Sequence, residues 1–199
     1  ELNLRAIAIT DHDTIDGIPP AIEEAKKLTD VEVIPGIEIN TYYKDMEIHI
    51  LGYYIDYTGD YLRRVLTGLQ QSRAERAKKI VDRLNELGII IDFENVKVKA
   101  SGPSMGRPHI AAVLIEKGFA ESIEDAFEKY LNPGRPAYVP RERLTPFDAI
   151  DIVKQSTGIP VLAHPGLLKK QNIIYDLIKY GIMGIEVYHK DHSREQTDY

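Results

Sequence analysis

Four ionisable residues in this sequence interrupt short runs of aliphatic residues. They are His12 after AIAIT, Glu38 in GIEI, His49 in EIHILGY and His164 in VLAHP. Side chains alternate between the two faces of a strand, so an ionisable residue with aliphatic neighbours points away from them. Imidazole and carboxylate groups are the ligands that zinc, iron and manganese take in hydrolytic sites. We therefore predict that these four residues bind metal, and that His12 and His164 also take part in catalysis.

Each of these residues, taken alone, has a simpler explanation. A single strand histidine such as His49 or His164 is more often a hydrogen-bonded core residue than a metal ligand. A buried Glu38 would be costly without a cation or hydrogen-bond donors nearby. The combination on neighbouring strands favours the metal site. The sequence contains no cysteine, so thiolate ligands and disulfides are excluded.

Four further ionisable residues are candidates for binding the metal or for supporting its ligands. Asp11 and Asp13 flank His12 and either bind metal, orient His12, or simply end the strand and cap a turn. Glu186 is predicted to face inward on a later strand, and His192 to reach the site from the turn that follows. His189 is predicted to face solvent.

The elements that would position these residues follow a strand and helix rhythm. Residues 7–9 are typical of a strand buried on both faces, and a short helix begins near Pro19. A second strand over residues 31–34 is expected to end at Pro35-Gly36, and strands over residues 37–42 and 47–55 follow. Strand, helix and strand within about thirty residues predict a parallel sheet of an α/β fold.

Helical periodicity begins at residue 59 and continues to residue 87, which predicts one long amphipathic helix or two in succession. Further helices are predicted over residues 109–117 and 122–131, with Ser122 as the N-cap. Thr145 is a predicted N-cap ahead of a helix through residue 157. A strand over 159–163, a helix over 167–180 and a strand over 183–188 complete the pattern. We expect residues 1–57 and 139–199 to form a partial α/β barrel and residues 58–138 to form a helical insertion.

Two loops of the predicted insertion carry residues suited to phosphate. Arg107 and Arg135 each lie in a Gly-Arg-Pro triplet, and the planar guanidinium fits phosphate oxygens. His109 is predicted to bind phosphate or to protonate the leaving oxygen, and Ser101 and Ser104 would add hydroxyl donors. The alternative is that these are ordinary surface residues. The basic residues along the helix at 59–87 are either a solvated face or a rim that attracts anionic substrate.

Composition excludes several classes of protein. Of the 199 residues, 43% are hydrophobic and 28% are charged, as in ordinary soluble globular proteins. Apolar runs stay far below the roughly 20 residues needed to cross a bilayer, so we predict a cytosolic protein without a membrane partner. The net charge of −6 argues against broad nucleic-acid binding, and duplex DNA is not an expected partner.

Several motifs resemble PHP proteins, the polymerase and histidinol phosphatase superfamily of metal-dependent phosphoesterases. The motifs are ITDHDT, GIEI, HILGY, GRPH, PGRPAYVP, VLAHP and GIEVYHKDHS, which span essentially the whole chain. The resemblance is greatest to the branch that hydrolyses 3',5'-nucleoside bisphosphates or trims short RNA from its 5' end. It implies a distorted seven-stranded α/β barrel with two or three divalent ions (Mn, Zn, Fe or Mg). It places the four strand residues at metal-ligand positions, and His192 at a recurring family position.

The family pattern extends beyond this sequence at both ends. PHP proteins begin with a strand that bears a His-x-His pair and finish with an Asp-x-His strand, and both lie outside these 199 residues. We therefore expect the barrel to be incomplete at both ends and the chain to be a piece of a longer protein.

The predicted function is hydrolysis of a small phosphorylated substrate, either a nucleotide or a short oligonucleotide. Clustered cations would polarise the phosphoryl group and activate a water molecule for attack on phosphorus. Two alternatives remain. One is a PHP module that has no catalytic role and acts as a scaffold, and the other is an amidohydrolase-like barrel that cleaves C–N bonds.

Overall fold

The structure is a computed structural model that describes residues 4–27, 31–44, 46–100, 105–141 and 143–198. The chain divides into two compact units. The sheet unit consists of Glu1–Leu66 and Arg143–Tyr199, and the helical unit consists of Thr67–Glu142. The sequence predicted the helical segment over residues 58–138, which begins nine residues before this unit and ends four residues before its end, and the predicted domain division stays a prediction.

Within the described residues, the sheet unit has a mixed five-stranded sheet. In sheet order the strands are β1 (Ala6–Ile9), β2 (Glu32–Tyr43), β3 (Met46–Tyr53), β4 (Ile159–Leu162) and β5 (Gly184–Ile185). The pairs β1–β2 and β4–β5 are parallel, whereas β3 runs antiparallel to both of its neighbours. The fold is α/β, but the expectation of a parallel sheet is wrong at β3. Only residues 44 and 45 separate β2 from β3. A connection this short can join only antiparallel strands.

Strand β2 continues through Pro35 and Gly36, where the sequence predicted a break. Ile9 pairs with Pro35 at the last position of the β1 ladder, and Gly36 pairs with Tyr53 at the first position of the β3 ladder. A Cβ atom on Gly36 would lie 2.8 Å from Thr10 Cγ2 and 2.9 Å from the Gly52 carbonyl oxygen. Proline and glycine therefore mark the place where β2 changes its pairing partner rather than its end.

The sequence predicted that strand β1 is buried on both faces, and this prediction is wrong. Ala6, Ile7 and Ala8 are exposed, and Ile7 retains 37% of its accessible surface. Among the described residues β1 pairs only with β2, so it is an edge strand. An edge strand has packing partners on fewer sides, and this explains the exposure of an apolar run.

Five α-helical segments belong to the described part of the sheet unit. They are α1 (Ile18–Ala25), the start of α2 (Asp60–Glu86), α6 (Pro146–Gln155), α7 (Ile173–Tyr180) and α8 (Arg194–Asp198). Helix α6 packs against β2, β3 and β4. The isoleucines that flank the ionisable strand residues are fully buried; they are Ile37, Ile39, Ile48 and Ile50. The core therefore lies on the face opposite to those ionisable residues.

Two predicted elements near the carboxyl end are shorter than expected. The helix predicted over 167–180 is divided into a 3₁₀ turn at Pro165–Leu167 and α7, because hydrogen bonds from Leu167 and Leu168 back to residues 164 and 165 close a tight turn first. The strand predicted over 183–188 is limited to β5, and the bond from Glu186 N–H to the Leu162 carbonyl is the next one along that edge.

The helical unit contains most of α2, followed by α3 (Phe93–Ala100), α4 (Arg107–Glu116), α5 (Ile123–Ala126) and a π-helical turn at Phe127–Leu131. Helix α2 is one continuous helix of 27 residues. Ser122 caps α5 by accepting a hydrogen bond from Asp125 N–H, as predicted. The core of this unit includes Ile80, Leu84, Val96, Ile110, Leu114 and Leu131.

Two basic residues of α2 have structural partners. Arg76 donates to the Val139 carbonyl at 2.8 Å, and Arg83 donates to the Tyr138 carbonyl. These two side chains therefore hold the 138–139 segment against α2. Within the described ranges, the structure contains no helix that combines the length and the apolar character needed to span a membrane.

The N-cap predicted at Thr145 is confirmed and gives a testable stability effect. Thr145 Oγ1 accepts from Asp148 N–H at 3.2 Å, and Asp148 accepts from Thr145 N–H at 2.8 Å. We expect Thr145→Ala to lower the free energy of unfolding by about 1 kcal/mol, measured by urea denaturation. Thr67→Ala, on the exposed face of α2, is the control and should be neutral or slightly stabilising. Equal effects of the two substitutions would contradict the capping role.

Candidate metal centre

Three of the predicted ligands meet in one cluster, which we call the metal cluster: His12, Glu38 and His49. His49 Nδ1 lies 2.8 Å from Glu38 Oε1, and His12 Nε2 lies 3.4 Å from Glu38 Oε2. One ligand atom from each residue lies within 4.8 Å of the other two. The cluster is therefore compact enough to bind one metal ion.

Strand pairing explains how the cluster forms. His12 and Glu38 share a parallel bridge, in which Glu38 N–H donates to the Asp11 carbonyl at 3.1 Å and Asp13 N–H donates to the Glu38 carbonyl at 2.9 Å. On the other side, Asn40 of β2 lies opposite His49 of β3. Because Glu38 and Asn40 are two residues apart, Glu38 and His49 share a face, as the alternation of the sequence predicts.

His164 joins the cluster by a different route. Its Nε2 lies 3.1 Å from His49 Nδ1 and 3.3 Å from Glu38 Oε1. Strand β4 ends at Leu162, which pairs with Ile50 on the buried, helix-covered face. Continued alternation would place His164 on that face and away from His49. Instead, the His164 backbone is left-handed, with φ 30° and ψ 56°, and this turns the ring towards the cluster.

Electrostatics couple the two partly buried members of the cluster. Burial alone would raise the pKa of Glu38, but the hydrogen bond from His49 and the proximity of His12 outweigh it and lower this pKa below its usual value. Burial alone would lower the pKa of His49, but hydrogen bonds with Glu38 and Glu47 outweigh it and raise this pKa. The Glu38 carboxylate therefore attracts positive charge to this point, whether a proton or a cation.

The separations of the donor atoms fit a bound cation. Two ligands at about 2.1 Å from one ion lie about 3.0 Å apart at a right angle and about 3.4 Å apart at a tetrahedral angle. The nitrogen and oxygen atoms around Glu38 lie 2.8 to 3.4 Å apart. Three imidazoles and one carboxylate suit Zn, Mn or Fe.

One acidic neighbour of the cluster was not predicted. Glu47 Oε1 lies 3.3 Å from His49 Nε2, and its side chain is about half exposed. Glu47 is two residues before His49 on β3 and so shares its face. The alternation of strand side chains that predicts the direction of His49 also places Glu47 on the same face, so the sequence could have indicated Glu47.

The two aspartates that flank His12 have neighbours outside the metal cluster. Asp13 is buried, and its two carboxylate oxygens accept from Asn40 N–H at 3.1 Å and from the Asn40 side-chain amide at 2.7 Å. Asp13 therefore fastens β2 two residues after Glu38. The Asp11 carboxylate lies directly against Gly17, just before α1. These contacts with Asn40 suit a supporting role for Asp13, and metal binding by either aspartate stays a prediction.

Residues 186–192 approach His164 from the other side. Glu186 Oε2 accepts from His164 N–H at 2.8 Å. The prediction that His189 faces solvent is wrong: its side chain is 22% exposed, and its ring centroid lies 5.2 Å from that of His164. The reason is a turn closed by His192 N–H on the His189 carbonyl at 3.0 Å, which folds the His189 ring back between His164 and His192.

Comparison with known proteins places the chain in a family, although no family model matches it. It is 40% identical to the 5'-3' exoribonuclease Rnm of Escherichia coli over 83% of the chain and 57% of that protein. It is 36% identical to Rnm of Salmonella typhimurium over the whole chain and 66% of that protein. It is 30% identical to the 3',5'-nucleoside bisphosphate phosphatase of Chromobacterium violaceum, over 94% of the chain and 67% of that protein. The chain belongs to the PHP superfamily.

Solved structures agree with this assignment. A Bifidobacterium adolescentis crystal structure, named "putative metal-dependent phosphoesterase", matches with a TM-score of 0.72 and 29% identity, over 99% of this chain and 71% of that one. A Chromobacterium violaceum structure named as an amidohydrolase, with bound sulfate, matches with a TM-score of 0.72 and 28% identity, over 98% of this chain and 70% of that one. The resemblance of the sequence motifs to PHP proteins is thereby confirmed. The chain spans 57% and 66% of the two Rnm proteins.

The PHP motif residues predicted to bind phosphate belong to the helical unit. Arg107 donates to the Leu131 carbonyl at 3.0 Å, and its guanidinium lies over the Phe127 ring at 5.1 Å. His109 Nδ1 accepts from Gly106 N–H at 3.1 Å at the start of α4. Arg135 is exposed. Ser101 and Ser104 lie outside the described residues. The phosphate-binding role of these residues stays a prediction.

Proposed function

We propose that this chain carries the metal centre of a phosphoesterase that hydrolyses phosphate esters of nucleotides or short RNA. The observation that carries this proposal is the convergence of His12, Glu38, His49 and His164, whose side chains contact one another although they lie up to 152 positions apart in the sequence. Such a set of imidazoles around one carboxylate has little use in a core and fits a divalent cation well.

The residues of the chain have separable tasks in this proposal. Glu38 supplies the negative charge that attracts cations, and the three histidines supply nitrogen donors. A divalent cation held there supplies Lewis-acid polarisation of the phosphoryl group and activation of water. Two or three ions of Mn, Zn, Fe or Mg would complete the site in the whole protein. The names of the exoribonuclease and the bisphosphate phosphatase support small phosphorylated substrates.

The finer architecture is part of the same proposal. We infer that the five strands belong to a distorted seven-stranded barrel, and that the helical unit is an insertion carrying the phosphate-binding residues Arg107, His109 and Arg135. A cytosolic location, predicted from the composition, belongs to the proposal as well.

The proposal is tested with the full-length protein loaded with Mn²⁺. We expect phosphate release from a 3',5'-nucleoside bisphosphate, or nucleotide release from a short 5'-phosphorylated RNA. A chelator should abolish the release and added Mn²⁺ should restore it. His49→Ala should remove the activity, whereas Lys190→Ala should not. A metal-replete protein that leaves both substrates intact would overturn the proposal.

A second candidate function is hydrolysis of C–N bonds, because one similar structure is named as an amidohydrolase. The same preparation separates the candidates when it is assayed with amide substrates. Tight metal binding without turnover of any ester or amide would instead favour the scaffold alternative.

Arg135 provides a test of the phosphate-binding role predicted for the helical unit. We expect Arg135→Ala to raise KM about tenfold, equivalent to about 1.4 kcal/mol, with little change in kcat, because an exposed guanidinium would contribute to substrate binding rather than to chemistry. Lys79→Ala, on the exposed face of α2, is the matched loss of one positive charge. If both substitutions raise KM equally, general attraction by the basic residues, and not a specific contact of Arg135, accounts for substrate binding.

A further inference from the structure

The turn that carries His164 is held by side chains from one later segment. We call residues 164–167 the His164 turn and residues 186–196 the holding segment. Glu186 Oε2 accepts from His164 N–H at 2.8 Å, and His192 Nε2 accepts from Gly166 N–H at 3.2 Å. The Gln196 side-chain amide donates to the Gly166 carbonyl. We propose that Glu186 and His192 are positioning residues that keep His164 in contact with the metal cluster, and that His192 is not a metal ligand.

His164 needs such support because of its backbone conformation. A residue with a Cβ atom rarely adopts φ 30° and ψ 56°, since the side chain then crowds its own backbone. The Glu186 bond is charge-assisted, and Glu186 is itself fixed by its N–H to the Leu162 carbonyl at 2.9 Å. Glu186 therefore binds Leu162 through its backbone N–H and His164 through its carboxylate. Without the carboxylate, the turn would relax towards extended backbone and the ring would move away from His49.

The two hydrogen bonds of His192 define its tautomer. The Val187 carbonyl oxygen can only accept, so His192 Nδ1, 3.0 Å away, must carry the proton. Gly166 N–H can only donate, so Nε2 must be unprotonated. Both bonds together require the neutral Nδ1–H form. Each ring nitrogen is then engaged by the backbone, and metal binding at Nε2 would displace the Gly166 bond.

Packing at Gly166 supports the same arrangement independently. A Cβ atom there would lie 2.9 Å from His192 Cδ2 and 3.1 Å from Gln196 Cβ. The imidazole and the Gln196 side chain therefore lie directly on the glycine. The close contact shows that the holding segment is fitted to the His164 turn and does not merely pass near it.

The positioning role rests on the proposed function, since it assumes that His164 binds metal. Loss of a residue that supports a ligand typically weakens metal binding 10- to 100-fold. We expect Glu186→Ala to lower Co²⁺ affinity by about this factor and to change the visible absorption of the Co²⁺ form. Glu186→Gln keeps an acceptor oxygen for His164 N–H and should retain most of the affinity. Glu195→Ala, an exposed residue of the same segment, is the control and should bind Co²⁺ like the wild type.

The Co²⁺ titration separates failure of this inference from failure of the proposed function. If the wild-type full chain does not bind Co²⁺, the proposed metal centre is wrong. If the wild type binds and Glu186→Ala binds equally well with an unchanged spectrum, the metal centre stands and the positioning role is wrong.

The His192 tautomer gives a second test that needs no variant. Long-range ¹H–¹⁵N NMR spectra of the ¹⁵N-labelled full chain should show His192 as the Nδ1–H tautomer, which is the minor form of free histidine. Its ring signals should keep that pattern when Zn²⁺ is added, while the His49 and His164 signals shift. An Nε2–H tautomer, or a Zn²⁺-induced change at His192 as large as that at His164, would overturn the assignment.

Discussion

Glu38→Gln is expected to reduce the affinity of the full chain for divalent cations by about 100-fold, or about 2.7 kcal/mol, and to reduce phosphoester hydrolysis at least as much. The Glu38 carboxylate touches all three histidines of the site: His12 at 3.4 Å, His49 at 2.8 Å and His164 at 3.3 Å. Glutamine has nearly the same size but no charge, so the substitution removes the attraction for the cation and leaves the packing in place.

Glu47→Gln is the matched control for this prediction. It makes the same chemical change beside the same histidine, but Glu47 is about half exposed and lies at the edge of the cluster. We expect less than a tenfold loss of affinity, because solvent screens an exposed charge. Both variants are compared by isothermal titration with Mn²⁺. Equal losses would show that general negative charge around His49, rather than the Glu38 ligand position, governs metal binding.

Strand alternation and strand pairing account for the meeting of the three residues of the metal cluster. Glu38 and His49 lie between buried isoleucines and share the opposite face, and the bridge to Glu38 brings in His12. This succeeds because the side-chain period of a strand is fixed by backbone geometry and can be read directly from the sequence. His164 is different. Its position depends on a left-handed backbone that only the contacts of the folded turn maintain, and no local pattern indicates it.

The direction of β3 was open to prediction from the sequence. The two residues between β2 and β3 are enough for a hairpin and far too few for a helical crossover. The strand, helix and strand order at the start of the chain favoured a parallel sheet, and the short connection before β3 was the contrary signal. By contrast, the bond between Asp13 and Asn40 joins residues 27 positions apart, and nothing near either residue predicts it.

Residue type does not separate the proposed ligands from the proposed supporting residues among the PHP motif residues. Glu38 and Glu186 are both glutamates on the cluster side of the sheet unit, and His164 and His192 are both histidines next to turns. Their hydrogen-bond partners distinguish them. Glu38 and His164 contact other donor atoms, whereas Glu186 and His192 bind backbone N–H groups. Under the proposed roles, Glu186 and His192 would fix ligand geometry without binding metal, and motif membership alone would then overestimate the number of ligands.

Gly36→Ala is expected to be the most destabilising small substitution in the sheet unit, with a loss of about 3 kcal/mol in the free energy of unfolding. The added Cβ would lie 2.9 Å from the Gly52 carbonyl oxygen and 3.0 Å from the Ile9 carbonyl oxygen. Both oxygens are backbone atoms of neighbouring strands, so neither can rotate away as a side chain could. The strands must separate at the point where β2 changes partner, two residues before Glu38.

The displacement at Gly36 should therefore weaken metal binding as well as stability. Gly68→Ala in α2 is the matched control, because a Cβ there meets nothing within 4 Å. Since alanine is the better helix former, we expect this control to stabilise the protein by about 0.5 to 1 kcal/mol and to leave metal affinity unchanged. Urea unfolding and Mn²⁺ titration of both variants measure the two effects. If Gly36→Ala retains wild-type stability, the close approach of the three strands at Gly36 is not a constraint on the site.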